Sequence, residues 1–129
     1  MTIVPLALAR VGYKGCQEIG LVLAKGIKDY ARDVLIVAST DMTHYESAGA
    51  AHRKDGVLIK RIEALDPEGL VRERDQRRIT MCGVGPVAAT IVAAKACGAA
   101  RVQSLAYSTS GDVMPASEVV GYYCGVIRR

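Results

Sequence analysis

Three side chains capable of metal or acid–base chemistry lie in two short polar stretches of this 129-residue sequence. Asp41 and His44 follow the apolar run VLIVA at 34–38, and Cys82 opens the stretch CGVGP. A carboxylate and an imidazole three residues apart point the same way if they share one helical turn. Together they suit a transition-metal site or a general acid–base pair. Cys82 adds a thiol that can act as a metal ligand or a nucleophile.

Each of these residues also has a simpler interpretation. Asp41 can cap a short helix, with His44 an ordinary loop residue. A free cysteine is most often a small, buried, apolar residue, and Cys82 can be one too. For the remaining cysteines, Cys16, Cys97 and Cys124, we adopt that interpretation outright, because they lie within apolar segments.

Apolar spacing predicts the elements that must position these residues. Apolar residues that recur three and four positions apart indicate helices. An uninterrupted apolar run is typical of a strand covered on both faces in a parallel sheet. The predicted strands are 2–8, 34–38, 101–110 and 118–127, and the predicted helices are 16–31, 51–65, one beginning at Asp66–Pro67, and 86–97 ending at Gly98. We therefore expect a single α/β domain over residues 1–129, with layered α/β/α architecture and a mostly parallel sheet. The last two strands have a short link, which predicts an antiparallel strand at one edge.

The predicted order of elements brings the polar stretches to one rim of the sheet. In open α/β sheets, ligands bind beyond the carboxyl ends of the parallel strands, where helix N-termini also point. The stretch 39–44 follows one predicted strand, 108–112 follows another, and Cys82 immediately precedes a helix. The second stretch can hold an anion through its backbone N–H groups, although it is more often simply a turn. The candidate binding residues beside Asp41, His44 and Cys82 are Thr43, Ser110 and Asp112.

Composition and charge exclude several classes of protein. The net charge of +4 is modest, and no aromatic residue lies between Tyr45 and Tyr107. These features argue against a nucleic-acid partner. The four cysteines form no CxxC pair, and the chain has neither a signal-peptide pattern nor a membrane-spanning run. We therefore expect a cytoplasmic protein whose cysteines are reduced and which has no membrane partner.

Four stretches in the right order resemble the carboxyl-terminal half of the Memo family. They are VASTDMTHYE, RKDGVLIKRIEALDPEGL, MCGVGPVAATIVAAKACGAARVQSLAYSTSGDV and VVGYYCG. Memo proteins are similar in fold to the catalytic subunit of extradiol-type non-haem iron dioxygenases. The resemblance covers essentially the whole chain and implies a dioxygenase-like fold for it.

The resemblance also implies a metal pocket. The family pattern S-(S/T)-D-x-(S/T)-H corresponds here to Asp41 and His44, and the pattern CG-x-x-P supplies Cys82. In the family, histidines from the amino-terminal half complete the pocket, which is associated with iron or copper. Those histidines precede the strand that begins here at Thr2. We therefore expect a truncated or split family member that pairs with itself or with a complementary amino-terminal-half chain, or else part of a longer product.

Three functional hypotheses follow from these observations. In the first, the chain contributes half of a redox or dioxygenase-like metal pocket. Asp41 is then a carboxylate ligand or acid–base partner, His44 an imidazole ligand or proton donor, and Cys82 a thiolate ligand. In the second, the same crevice is metal-free and recognises a peptide or a small anion as a binding or assembly module. In the third, the chain is a stable fragment with no activity of its own.

Overall fold

A computed structural model describes residues 2–30 and 32–129 of the chain. Four α-helices form somewhat less than half of the described part, and two of the three strands of a small sheet lie near its carboxyl-terminal end. In chain order the elements are α1 (Tyr13–Asp29), β1 (His44–Glu46), α2 (Ala48–Glu63), α3 (Pro67–Gln76), α4 (Val84–Ala96), β2 (Arg101–Thr109), a 3-10 turn (Ser110–Asp112) and β3 (Val119–Arg128). None of the helices in these two described ranges is long and apolar enough to cross a membrane.

The sheet has three strands in the order β1-β3-β2, and both pairs are antiparallel. The predicted antiparallel pairing of the last two strands is confirmed, with Arg101 opposite Arg128 and Thr109 opposite Gly121. The pairing register shifts between Ser104 and Ala106. The mixed helix-and-sheet composition is therefore confirmed, but the mostly parallel sheet is not.

Segments 2–8 and 34–38 differ most from prediction. Both were expected to be strands, and the structure assigns neither of them to a strand or a helix. A strand is defined by hydrogen bonds to a neighbouring strand, and an apolar run cannot supply that neighbour by itself. Among the described residues, no main-chain hydrogen bond reaches either segment. The prediction of two strands was therefore wrong for the described residues, among which neither segment has a pairing partner.

The hydrophobic core lies mainly between the helices. α4 is buried on most of its surface, with Ala88, Ile91 and Ala93 fully enclosed. α1 packs closely on it at Gly20, where an added Cβ would lie 2.6 Å from the carbonyl oxygen of Ala89. Small residues at this crossing therefore let the two helices approach, and α4 becomes the centre of the helical layer.

The helix ends follow the sequence signals. The side chain of Asp66 accepts the backbone N–H of Gly69 at 2.8 Å, and Pro67 stands at the first helical position of α3, as predicted. α4 ends at Ala96 with Cys97 as its C-cap, and Gly98 follows with a φ of +90°, a conformation that favours glycine. α4 begins at Val84, two residues after Cys82 and two residues before the predicted start at 86.

Candidate functional site

The backbone of residues 42–44 is held by β3 and by the loop before α4. The N–H of Met42 donates to the carbonyl of Gly121, and the N–H of Gly121 donates to the carbonyl of Thr43, each at 2.9 Å. The N–H of His44 donates to the hydroxyl of Thr80 at 2.8 Å. The segment that carries Asp41 and His44 is therefore fixed from two sides rather than left as a free loop.

Asp41 and His44 lie side by side, although they do not share the helical turn that their spacing suggested, because His44 begins β1. The Nε2 atom of His44 is 3.6 Å from the Oδ2 atom of Asp41. The carboxylate is half-exposed, whereas most of the imidazole is covered. Among the described residues, the buried Nδ1 atom of His44 has no hydrogen-bond partner. The pair therefore presents one accessible carboxylate and one imidazole at the same surface.

Cys82 lies against the backbone of Asp41. The N–H of Asp41 donates to the Sγ atom of Cys82 at 3.3 Å, and the Thr40 hydroxyl is 3.7 Å from the same sulfur. The N–H of Gly83 in turn donates to the Thr40 hydroxyl at 2.8 Å. A Cβ on Gly83 would lie 2.5 Å from the Cβ atom of Thr40, so only glycine permits this approach. The structure therefore brings Asp41, His44 and Cys82 to one corner.

The donor types at this corner fit a transition metal, but the set is partial. Carboxylate oxygen, imidazole nitrogen and thiolate sulfur are all ligands for iron or copper. Within residues 2–30 and 32–129, however, no three His, Cys, Asp or Glu side chains are grouped closely enough to hold a metal ion. The backbone N–H of Asp41 contacts the sulfur of Cys82, whereas the carboxylate of Asp41 faces the imidazole of His44. Further ligands are needed to make a metal centre here.

The other predicted binding residues are engaged in hydrogen bonds of the fold or are enclosed. Thr43 is fully buried, and its Oγ1 atom lacks a partner among the described residues. Asp112 accepts the N–H of Thr109 at 2.6 Å and its hydroxyl at 3.2 Å. These hydrogen bonds, the backbone one first, lower the pKa of Asp112. Ser110 accepts the N–H of Val120 at 3.0 Å, and Val120 is the partner of His44 in the sheet. The 3-10 turn at Ser110–Asp112 is therefore linked through β3 to the strand that carries His44.

A buried carboxylate that the sequence analysis passed over supports this corner. Asp55 is fully buried, its Oδ1 atom accepts the N–H of Thr43 at 2.9 Å, and its Oδ2 atom accepts the hydroxyl of Tyr107 at 2.7 Å. Burial, followed by this hydrogen bond to Asp55, raises the pKa of Tyr107. The sequence did carry a signal, because Asp55 shares the inward stripe of α2 with Ala51, Leu58 and Ile62.

Cys82 also lines a cavity of about 530 Å³. Three arginines, Arg10, Arg74 and Arg78, line it together with Asp75, and it extends to the first turn of α4. No side chain caps the N-terminus of that helix. Arg74 is mostly buried and pairs with Asp75 at 2.9 Å, while its Nε atom has no partner among the described residues. The cavity wall therefore carries an excess of positive charge.

Comparison with known proteins gives consistent matches. The sequence profile of a family described as Memo-like protein matches residues 1–126. A MEMO1 family protein of Methanopyrus kandleri is 43% identical over 127 residues, which are 98% of this chain and 45% of the relative. One from Methanothermobacter thermautotrophicus is 41% identical over 121 residues, 93% of this chain and 44% of the relative. One from Methanocaldococcus jannaschii is 38% identical over 126 residues, 97% of this chain and 44% of the relative. The chain spans less than half the length of these relatives.

Proposed function

The chain belongs to the Memo-like protein family, and on that premise we propose that it contributes part of a non-haem metal pocket for iron or copper. The ligands from this chain are Asp41, His44 and Cys82. The observation that carries the proposal is that the three residues are neighbours: the His44 Nε2 atom is 3.6 Å from the Asp41 carboxylate, and the Cys82 sulfur is 3.3 Å from the Asp41 backbone nitrogen. A bound iron or copper ion would supply redox or dioxygenase-like chemistry.

The residues of this chain have separate roles in such a pocket. Asp41 offers an accessible carboxylate, as a ligand or as the acid–base partner of its neighbour. His44 is the imidazole ligand or, next to a substrate, the proton donor. Cys82 is the thiolate ligand. Thr40 and Thr80 keep these groups in place, because they hold the backbone at Gly83 and His44.

The rest of the pocket comes from another polypeptide in this proposal. A site of the two-histidine, one-carboxylate type needs a second histidine. The other histidine of this chain, His52, packs its ring edge-on against Tyr107, with 5.0 Å between the ring centres. His52 lies on α2 and is not among the residues that surround Cys82 in the cavity. The present chain therefore supplies a carboxylate, an imidazole and a thiolate, and the remaining histidine is external.

Metal analysis tests the proposal on the 129-residue chain as it stands. Purified protein is exchanged into buffer, loaded with iron(II) or copper and freed of excess metal, and its metal content is then measured. Because the donor set of this chain is partial, we expect substoichiometric metal in the wild type, above about a tenth of an equivalent, and a clear loss in Cys82→Ala and in His44→Ala. Cys124→Ala is the matched control, because Cys124 is an exposed cysteine on β3. A content below about a tenth of an equivalent, unchanged by Cys82→Ala, would overturn the metal proposal.

The arginine-lined cavity favours a second candidate function, recognition of a small anion without a metal. Guanidinium groups bind carboxylate and phosphate through paired hydrogen bonds, and the buried Nε atom of Arg74 is a donor without a protein partner among the described residues. The N-terminus of α4, which no side chain caps, adds a positive electrostatic potential that favours a bound anion. This candidate fits a binding module better than an enzyme, and its cavity shares Cys82 with the candidate metal site but includes neither Asp41 nor His44.

Inorganic phosphate is a direct probe of the anion candidate. Saturable phosphate binding by calorimetry at constant ionic strength is expected for the wild type and is expected to be lost in Arg78→Gln. Arg53→Gln is the control, because Arg53 is an exposed arginine on α2 outside the cavity. Equal responses of all three proteins would show a general salt effect and exclude the anion site.

A further inference from the structure

The arginine-lined cavity has a wall with an excess of positive charge. Arg74 lies on α3, Arg78 follows the end of that helix, and Arg10 precedes α1. The acidic side chain that lines the cavity with them, Asp75, pairs with Arg74 at 2.9 Å. Among the described residues, neither Arg10 nor Arg78 forms an ion pair with a carboxylate. An anion that enters the cavity therefore meets guanidinium groups that no described side chain neutralises.

The same cavity also has an apolar wall. Its larger apolar lining residues are Leu8, Val11, Ile79, Met81, Val84 and Pro86. The volume of about 530 Å³ is typical of pockets that hold small organic molecules, and it is far larger than an inorganic anion requires. A ligand that complements both walls therefore has an anionic head and an apolar body.

Two residues connect the cavity to the corner that holds Asp41 and His44. Thr80 lines the cavity, and its hydroxyl accepts the N–H of His44 at 2.8 Å. Cys82 lines it too, and its sulfur lies 3.3 Å from the backbone nitrogen of Asp41. Asp41 and His44 themselves are not part of the cavity lining. The place for a ligand is therefore separate from the place for a metal, and the Cys82 thiol lies at the border between them.

We propose that this cavity is the substrate subsite of the candidate metal pocket and that the substrate is a small amphipathic organic anion. The inference rests on the proposed function, because it takes the ligand of the cavity to be the molecule on which the metal acts. The carboxylate or phosphate head binds the guanidinium groups of Arg74 and Arg78, and the apolar body extends toward Cys82. The substrate then reaches the metal corner without displacing Asp41 or His44.

Arg74 in particular supports an anionic head. Only 13% of its side chain is exposed, and its buried Nε atom has no hydrogen-bond partner among the described residues. A buried charged donor without an acceptor is costly, whereas a carboxylate or phosphate oxygen satisfies it with a strong, charge-assisted hydrogen bond. A neutral molecule of the same size offers a weaker compensation. The cavity therefore favours the charged ligand over its neutral analogue.

Alkylation of Cys82 measures the charge preference of the cavity on the metal-free 129-residue chain. Iodoacetate is anionic and iodoacetamide is neutral, and with both reagents a thiolate forms a thioether and releases iodide. The ratio of the two rates at one cysteine reports the local preference for an anion, because the reactivity of the thiol affects both rates. Mass spectrometry gives this ratio separately for Cys82 and for Cys124, the exposed cysteine on β3. At low ionic strength we expect the ratio at Cys82 to be at least about threefold higher than at Cys124.

Arginine variants connect this preference to the cavity. Arg78→Gln and Arg10→Gln are each expected to lower the Cys82 ratio at least about twofold, because each removes a cavity charge. Both side chains are exposed, so the circular dichroism of the variants should match the wild type. Arg53→Gln is the control, since Arg53 is exposed on α2 outside the cavity, and its ratios should not change. Equal ratios at Cys82 and Cys124, or a Cys82 ratio that neither cavity variant lowers, overturn the proposal.

Protection by small molecules identifies the class of ligand. Each probe is added to the wild type at constant ionic strength, and the rate of Cys82 alkylation by iodoacetamide is measured. Hexanoate and hexyl phosphate share an apolar chain and differ in their heads, hexanamide has the chain without a charge, and inorganic phosphate has the charge without a chain.

We expect hexanoate, hexyl phosphate or both to halve the rate at Cys82, but not at Cys124, at a concentration at least about tenfold below that of hexanamide or inorganic phosphate. The more effective of the two probes identifies the head group. Equal protection by hexanamide shows that charge is not recognised, and equal protection by inorganic phosphate shows that the apolar body is not. Either result contradicts the proposal, as does the absence of protection by every probe.

The outcomes separate this inference from the metal proposal. Anion preference and protection at Cys82, in a chain that binds less than about a tenth of an equivalent of metal, support the amphipathic anion as the ligand and remove the metal function. Metal binding that depends on Cys82, with neither anion preference nor protection, supports the metal function and overturns the amphipathic anion.

Discussion

The carboxylate of Asp55 accepts the backbone N–H of Thr43 at 2.9 Å, entirely inside the protein. Thr43 lies between Asp41 and His44 in the candidate site, so this hydrogen bond ties helix α2 to the site backbone. Tyr107 on β2 donates to the other carboxylate oxygen at 2.7 Å. One buried side chain therefore joins a helix, the site segment and the sheet.

Removal of this carboxylate should destabilise the whole domain. Asp55→Ala leaves the Thr43 N–H and the Tyr107 hydroxyl without an acceptor, and we expect a loss of about 2–4 kcal/mol in the free energy of unfolding. Tyr107→Phe removes one donor only and should cost about 1–3 kcal/mol. Urea denaturation followed by circular dichroism measures both values.

Tyr122→Phe is the matched control for Tyr107→Phe. Tyr122 is an exposed tyrosine on β3, and its substitution should change the free energy of unfolding by less than about 0.5 kcal/mol. If both tyrosine variants lose the same free energy of unfolding, the hydrogen bond from Tyr107 to Asp55 does not stabilise the fold.

The sequence predicts the helices well because their signals are local. The helix expected at 51–65 occupies Ala48–Glu63, and the cap expected at Asp66 is present. Apolar spacing and capping residues act within one turn, so no distant partner is needed to read them. Local signals could not predict whether segments 2–8 and 34–38 form strands, because a strand depends on hydrogen bonds to another segment.

The candidate site is partly predictable for the same reason. The predicted rim required a mostly parallel sheet, which is not confirmed, although the structure does bring Asp41 and Cys82 into contact. The backbone contact between them depends on Gly83 and Thr40, whose packing cannot be read from spacing. Asp55 was overlooked because charged residues surround it in the sequence, although its position on the apolar stripe of α2 marks it as buried.

Reactivity should distinguish the cysteines of the native chain. Cys16 is fully enclosed, and burial raises the pKa of its thiol, so its reactive thiolate is both scarce and inaccessible. Cys82 and Cys124 are exposed. A thiol reagent followed by mass spectrometry should modify the two exposed cysteines first and Cys16 only after unfolding. Fast modification of Cys16 in the native protein would contradict the buried position of α1 on α4.

The stability of the chain should depend on pH through Asp112. Hydrogen bonds from Thr109 lower the pKa of Asp112 in the folded protein, with a smaller contribution from His52. The charged form is therefore favoured by folding, so its stabilisation is present above the ordinary pKa of an aspartate, about 3.9, and is lost as the pH falls through the lowered value. Urea midpoints of the wild type and Asp112→Asn should differ near neutral pH and converge below about pH 4. A difference that grows on acidification would refute this assignment.

Gly121 should be intolerant of any side chain because it lies against Asp55. A Cβ at Gly121 would be 2.0 Å from the Asp55 Oδ2 atom and 3.2 Å from the Met42 Cβ atom. We expect Gly121→Ala to cost about 1–3 kcal/mol in the free energy of unfolding. Gly56→Ala is the control, since Gly56 lies within α2 with nothing within 4 Å of its added Cβ, and it should stabilise the protein by about 0.5–1 kcal/mol. In the Asp55→Ala background the carboxylate is gone, so Gly121→Ala should cost clearly less than in the wild type. Equal costs in the two backgrounds would mean that Gly121 and Asp55 do not interact.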